Sequence, residues 1–379
     1  MRILHIGKYY APERGGIERY TQALAEWCVA RGDAVDVLVH QRAGHWQRGA
    51  ETLAGVGVRR ACCVAAPLYT PLSPAFPFEL ARVLREFQPD VLHLHFPNPS
   101  CFFALTSPGA RRLPWIVHWH ADVPPDSPDW RMRTAYRAYR SFEQATLRRA
   151  AAVIATSRPY LDASLALAPW HGKTSVVPLG IAGSRSTLPN AALWPSGAGL
   201  RLLAVGRLSR YKGFDVLIEA LAHVPDARLL IVGEGECAAD LRALVEARGL
   251  GHRVAFGGAL PDDPLASAYA TADAFVLPSL DRGEAFGLVL LEAMRAGIAV
   301  VASDIAGSGI GFVVADGETG LLSPPGDVAA LASTIARLAD EHLRARLGES
   351  GRERWRAHFM LDTSALRIHE IYRDVRIVR

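Results

Sequence analysis

Short apolar runs separated by glycine loops and amphipathic stretches set the pattern of this chain. RILHI (2–6) reads as a strand buried on both faces, because no polar alternation interrupts it. The loop GKYYAPERGG follows and ends at Gly15–Gly16. Ile17, Tyr20, Leu24, Trp27 and Cys28 then recur at helical spacing, which predicts an amphipathic helix over 17–31. Gly32 stops it, and AVDVLVH (34–40) is the next strand. Strand, glycine loop, helix, strand is a βαβ unit and implies a parallel sheet. PDVLHLH (89–95), PWIVHWH (114–120), AAVIATS (151–157) and KTSVVP (173–178) continue the series.

The stretch 183–199 is rich in Gly, Ser and Pro and reads as a linker or surface excursion. After it the pattern restarts with LRLLAV (200–205), the loop GRLSRYKG, the helix FDVLIEALAHV and the strand ARLLIV (227–232). RVAFGG, DAFVLP and IAVVAS supply further strands, helices are expected around 264–271 and 287–296, and helical sequence runs from Asp327 to the end. The expected fold is α/β, with two doubly wound Rossmann-like halves facing across a cleft. Such sheets bind ligands beyond their strand carboxyl ends.

Composition narrows the function. Half of the 379 residues are apolar and 21% are charged, enough for packed cores and against disorder. A net charge of +4 gives no global field for a polyanion, so no nucleic-acid partner is expected. Cys28, Cys62, Cys63, Cys101 and Cys237 form no CxxC pair and no metal spacing, which fits a reducing compartment. MRILHIG has no signal-peptide pattern and no run is long enough to span a bilayer, so a cytoplasmic protein is expected. All but three of the 42 basic residues are arginine; the lysines are Lys8, Lys173 and Lys212.

Lys212 lies in GRLSRYKG (206–213), between a strand and a helix, where backbone N–H groups and the helix dipole attract anions. Arg207 adds a planar fork for phosphate oxygens. The loop is neither GxGxxG nor a P-loop, and its plain alternative is a surface turn with two solvated cations. Downstream, DRGEAFGLVLLEAM places Glu284 before a helix and Glu292 within it. Eight helical residues would overshoot two turns by about 80°, so the two are not stacked. Glu284 is instead expected in the loop, beside a helix start near Gly287. Carboxylates accept hydrogen bonds from vicinal hydroxyls, and a helix start suits phosphate, so a nucleotide sugar would satisfy both. The plain alternative is one capping and one exposed glutamate.

With GRLSRYKG upstream, the EX7E spacing of Glu284 and Glu292 and DGETGLLSPPGD downstream, the chain closely resembles the retaining GT-B glycosyltransferases of family GT4. The match is dense over about 200–360 and thinner through APERGGIERY, PDVLHLHFPNP and VHWHAD. The resemblance implies an N-terminal acceptor-side domain (1–182, with 362–379 crossing back onto it) and a C-terminal donor domain (183–361). It implies that Arg207 and Lys212 grip the donor diphosphate beside Gly206, and that Glu292 holds the ribose. Glu284, with the backbone of Ala285, Phe286, Gly287 and Leu288, would hold the transferred sugar. Gly233, Glu234, Gly258 and Leu260 would border the base and ribose, and Gly15–Gly16 would lie over the phosphates or the acceptor. It implies that His120 lines the catalytic centre, and places Asp122 and His95 on the acceptor side. Pro178-Leu179-Gly180 departs from the family's Asn-Gly at the domain junction.

These implications give a hexose transfer from a nucleotide diphosphate sugar, with GDP-mannose favoured and UDP-sugars the alternative. The acceptor would be a glycan or polyprenyl-linked saccharide in cell-surface polysaccharide synthesis. No cofactor is expected, since Arg207, Lys212 and helix dipoles can meet the leaving-group charge and no DxD pair stands nearby. Glu284 and Glu292 are positional, so Glu284→Ala should abolish turnover and leave the fold intact. His93/His95 and His118/His120, each i,i+2 on a strand, share a face; a polar cleft lining is expected rather than a metal site. RMRTAYRAYRSFEQATLRR (131–149) is a basic amphipathic segment, either a solvated face or a peripheral contact with an anionic membrane. A catalytically silent nucleotide-sugar binder would have dropped His120 or a glutamate, and a dinucleotide oxidoreductase would need GxGxxG.

Overall fold

The computed structural model describes every residue except 14, 68–69, 124–129, 184–192 and 378–379; the side chains of 130–133, 135 and 377 also lie outside the description. The chain divides into two compact units, Met1–Gly180 with Leu361–Arg379, and Ile181–Met360.

In the first unit the order is β1 (Arg2–Ile6), α1 (Gly16–Ala30), β2 (Ala34–His40), β3 (Gly49–Leu53), β4 (Val56–Ala61), α2 (Phe76–Phe87), β5 (Val91–Phe96), α3 (Phe103–Thr106), β6 (Trp115–Trp119), α4 (Trp130–Arg149), β7 (Ala152–Ala155), α5 (Arg158–Ala163) and β8 (Thr174–Val176). In the second it is β9 (Leu200–Val205), α6 (Phe214–Ala222), β10 (Ala227–Val232), α7 (Ala238–Ala247), β11 (Val254–Gly258), α8 (Asp262–Thr271), β12 (Ala274–Leu277), α9 (Leu288–Ala296), β13 (Ala299–Ser303), α10 (Ile310–Val313), β14 (Leu321–Ser323), α11 (Val328–Ala336) and α12 (Glu341–His358). The last helix, α13 (Leu361–Ile377), belongs to the first unit. It is pinned to α1 by Tyr20 Oη to Ser364 Oγ (2.6 Å) and Trp27 Nε1 donating to Asp362 (2.7 Å).

The second unit's sheet runs β11-β10-β9-β12-β13-β14, with parallel pairing throughout. That is the Rossmann order, and the chain reverses direction between β9 and β12. Central strands such as β12 and β13 are buried along their whole length, which is why they read as unbroken apolar runs. Leu202, Phe214, Leu217, Leu229, Ile231 and Val301 lie in the core on one side of this sheet.

The first unit's sheet, β3-β4-β2-β1-β5-β6-β7-β8, turns likewise between β1 and β5. Its edge differs from the expected series, because β3 pairs antiparallel with β4. The two-residue turn is Ala54-Gly55, both at positive φ (47° and 83°). The twist of a hairpin demands that backbone, but Asn-Gly usually signals it, and Ala in the first place hides it. Among the described residues no helix is long and apolar enough to cross a membrane.

Candidate functional site

The glycine loop after β9 is shaped by close backbone approach. Gly206 N–H donates to Val232 O (3.0 Å) and Leu208 N–H to Glu234 O (2.9 Å), so 206–208 runs beside 233–235. A Cβ on Gly233, whose φ is +141°, would lie 1.9 Å from Gly206 O, and one on Gly235 2.4 Å from Leu208 O. Arg210–Lys212 forms a 3-10 turn, and Gly213 (φ +65°) caps α6. A Cβ there would lie 2.1 Å from Pro278 O, the residue after β12. Glycine therefore lets the loop after β9 press against the loop after β12, at the reversal point where doubly wound sheets bind ligands.

The contact delivers one buried pair. Lys212 Nζ donates to Glu284 Oε2 at 2.5 Å, and Ser279 Oγ donates to the same oxygen at 3.0 Å. Both side chains are 9% exposed. Burial opposes the ammonium, yet the Glu284 carboxylate and Tyr211 outweigh it and raise the Lys212 pKa. Lys212 is thus no solvated cation, and Glu284 is neither a cap nor exposed. Its backbone is held as well: Glu284 N–H donates to Asp281 O (3.1 Å), Ser308 Oγ donates to Glu284 O, and Gly309 N–H donates to Ala285 O (2.8 Å).

Ala285 and Phe286 are buried. Gly287, at φ +80°, opens α9, whose first residue is Leu288. One turn later the half-buried Glu292 accepts from the Tyr269 hydroxyl at 2.8 Å. Arg207 and Glu234 are exposed, and Gly206, Gly233, Gly258 and Leu260 are half-buried. The loop therefore presents an exposed guanidinium beside a buried ammonium paired with the Glu284 carboxylate.

The remaining candidates belong to the first unit. Gly15 and Gly16 open α1, with Gly15 extended and Glu18 in the first turn. Asp122 accepts from Trp119 Nε1 (2.9 Å) and Ser164 Oγ (2.6 Å), and its N–H donates to the Tyr160 oxygen (2.6 Å). Those bonds tie the end of β6 to α5, an anchoring role. His95 and His120 lie among other buried imidazoles: His95 Nδ1 meets His120 Nε2 at 2.9 Å, and His93 Nε2 meets His118 Nδ1 at 3.2 Å. Burial lowers the pKa of each, to about 3 for His120. They form a buried, hydrogen-bonded cluster, with His120 just past the carboxyl end of β6. The basic segment is α4, where Arg137, Arg140 and Arg148 are exposed, whereas Arg149 donates to Arg111 O (2.6 Å); Arg131 and Arg133 lie outside the described side chains.

Sequence reasoning missed His5, Ser279, Ser308 and Tyr269. His5 had a signal, one polar residue inside RILHI, and β1 pairs it with His93. The others act through tertiary contacts that no local pattern carries. Two described groups, His5/His93/His95 and His95/His118/His120, have ring nitrogens within 4.8 Å of one another, the spacing from which a metal site would be built.

Two Rossmann-like units, one with a cation–carboxylate pair at its reversal point, fit the GT-B fold. Residues 15–180 match the family described as "Glycosyl transferase 4-like domain", and residues 196–354 match "Glycosyl transferases group 1". The chain belongs to the GT4-type glycosyltransferases of GT-B fold. It is 32% identical to a phosphatidyl-myo-inositol mannosyltransferase of Mycobacterium leprae, over 98% of this chain and 96% of that one. It is 28% identical to O-antigen chain mannosyltransferase C of Escherichia coli, covering 96% and 95%. The fold superimposes on a sucrose-phosphate synthase from Thermosynechococcus elongatus with a TM-score of 0.81 and 28% identity over 100% of both chains.

Proposed function

We propose that this glycosyltransferase moves a hexose, with retention, from a nucleotide diphosphate sugar to a glycan or polyprenyl-linked saccharide in cell-surface polysaccharide synthesis. The observation that carries this reading is the Lys212–Glu284 pair where the loops after β9 and β12 meet. Two mannosyltransferase relatives, one named for O-antigen and one for a phosphatidyl-inositol acceptor, favour mannose and hence GDP-mannose as donor. A UDP-sugar is the alternative.

Arg207 and Lys212 would balance the charge that builds on the diphosphate, together with the N-terminus of α9. Glu284 would accept hydrogen bonds from the transferred sugar, with Ala285, Phe286, Gly287 and Leu288 beside it, and Glu292 from the ribose. Gly206, Gly233, Glu234 and Leu260 would border the nucleoside. Gly15 and Gly16 would serve the phosphates or the acceptor and His120 the transferred sugar, while Asp122 and His95, both bonded to first-unit side chains, would shape the acceptor side. The acceptor oxygen bonds to the anomeric carbon as the bond to phosphate breaks, and the acceptor proton passes to the departing phosphate oxygen. No metal is assigned to this step. Exposed Arg137, Arg140 and Arg148 on α4 support a peripheral contact with an anionic membrane at its cytoplasmic face.

A thermal-shift panel of GDP, UDP and NAD tests the donor. Stabilisation by GDP above UDP is expected; stabilisation by NAD alone would sink the reading.

A further inference from the structure

Five buried imidazoles from three neighbouring strands are ordered into two hydrogen-bonded rows. In the longer row, His120 Nε2 meets His95 Nδ1 at 2.9 Å, and His95 Nε2 meets His5 Nδ1 at 3.0 Å. The rings of each pair are near-coplanar, at 14° and 20°. The shorter row is His118–His93, completed by the Tyr372 hydroxyl at 2.5 Å from His93 Nδ1. It lies on the first with centroids 4.4 Å (His93–His95) and 4.2 Å (His118–His120) apart.

From the helices, Tyr20 of α1 abuts His118 and His120 edge-on, and Thr21 Oγ1 lies 3.4 Å from His95 Nδ1. No carboxylate, lysine or arginine figures among the influences on the five rings, which are burial and the other imidazoles. A row of neutral rings carries one N–H each, so all must point the same way along it. Both ends of the longer row, His5 Nε2 and His120 Nδ1, are buried without a partner among the described residues. His120 follows β6 at the carboxyl edge of the sheet, where such folds take ligands, and His5 is fully buried one residue before the end of β1.

We propose that His95 and His5 are positioning residues for His120. Their row occupies the Nε2 of the buried His120 and leaves Nδ1 as the one ring nitrogen for a substrate hydroxyl. The free protein rests in one tautomer of the row, and shifting one proton per ring as substrate binds reverses it without any change of charge, so Nδ1 can either donate or accept. A sugar hydroxyl does both, whereas a phosphodiester oxygen only accepts. The hydroxyl as ligand rests on the proposed sugar transfer; the row itself does not. A zinc ion bound to two imidazoles would hold their nitrogens about 3.3 Å or more apart. The 2.9 and 3.0 Å contacts between coplanar rings are hydrogen bonds.

The test uses the full chain labelled with ¹⁵N at histidine. Long-range proton–nitrogen spectra of the wild type should show His120 as one neutral tautomer from neutral pH down to about pH 5. In His95→Leu that single pattern should be lost, and transfer should fall roughly tenfold in kcat with little change in donor KM. His95→Asn, whose amide reaches the Nδ1 position, should restore both in large part. Should His95→Leu fail to fold, His5→Leu, which does not touch His120, should disturb the same resonances in the same direction. An unchanged His120 pattern in the variant that folds, a protonated His120 in the wild type at neutral pH, or stoichiometric zinc uptake by the five rings would overturn the row. If the wild type transfers no sugar, the proposed function fails, and the spectra alone still decide the row.

Discussion

Lys212 Nζ and Glu284 Oε2 meet at 2.5 Å, each side chain 9% exposed, joining two loops 72 residues apart in sequence. Removing one partner of a buried pair strands the other charge at a cost of about 3–5 kcal/mol. Glu284→Ala is therefore expected to lower stability as well as turnover, which revises the expectation of an intact fold. Lys212→Met and Glu284→Gln should each lower the melting temperature by on the order of 10 °C. The double variant should recover much of that loss while remaining inactive. Calorimetry and a transfer assay on the three proteins check this, and a double variant no more stable than the singles would refute the pairing energetics.

Arg207 is exposed, so its removal should spare the fold. A charge-assisted hydrogen bond contributes about 1.5–3 kcal/mol, so Arg207→Ala should weaken donor binding roughly 10- to 100-fold. Arg207→Lys should recover only part, because an ammonium lacks the planar fork. Titration calorimetry with the nucleoside diphosphate measures both.

Gly213 combines φ +65° with a Cβ position 2.1 Å from Pro278 O. Gly213→Ala should force the two loops apart, lowering the melting temperature and raising donor KM together. Gly249→Ala is the control, since its φ is also +65° but nothing lies within 4 Å of its Cβ position. It should lose stability alone.

His5 and His120 have folded pKa values pushed down from 6.5 to about 3 by burial. Between those values the unfolded chain binds more protons, so the stability they give above pH 6.5 is lost as pH falls toward 3. Each should forfeit about 2 kcal/mol by about pH 5. Glu143, raised to about 7 by burial and by Asp122, works in the opposite sense between 4.5 and 7, one group against several. Denaturant unfolding should show a first-unit transition that weakens below pH 6.5, less steeply in His5→Phe.

Arg137, Arg140 and Arg148 share one stripe of α4 by helical spacing. Replacing all three with serine should abolish sedimentation with anionic vesicles at low salt, with donor binding unchanged. Failure of the wild type to sediment would remove the membrane contact.

The parallel strands, the glycine loops and the restart near residue 200 were legible because buried strands are apolar throughout and sharp loops need glycine. The hairpin of β3 and β4 was not, since Ala54 stands where Asn would have announced the turn. At the site, spacing exposed Arg207, Lys212, Glu284 and Glu292 as a pattern. It could not show that Lys212 and Glu284 are partners, or that Ser279 completes them, because strands adjacent in space are distant in the chain.

His5 makes the same point. The sequence by itself determined that His93 and His95, and His118 and His120, share faces, because strand side chains alternate with period two. Only the tertiary structure decided that β1 brings His5 alongside and that all five rings are buried and hydrogen-bonded. Periodicity is a property of one segment; pairing register, burial and the charge state they impose belong to segments brought together by the fold.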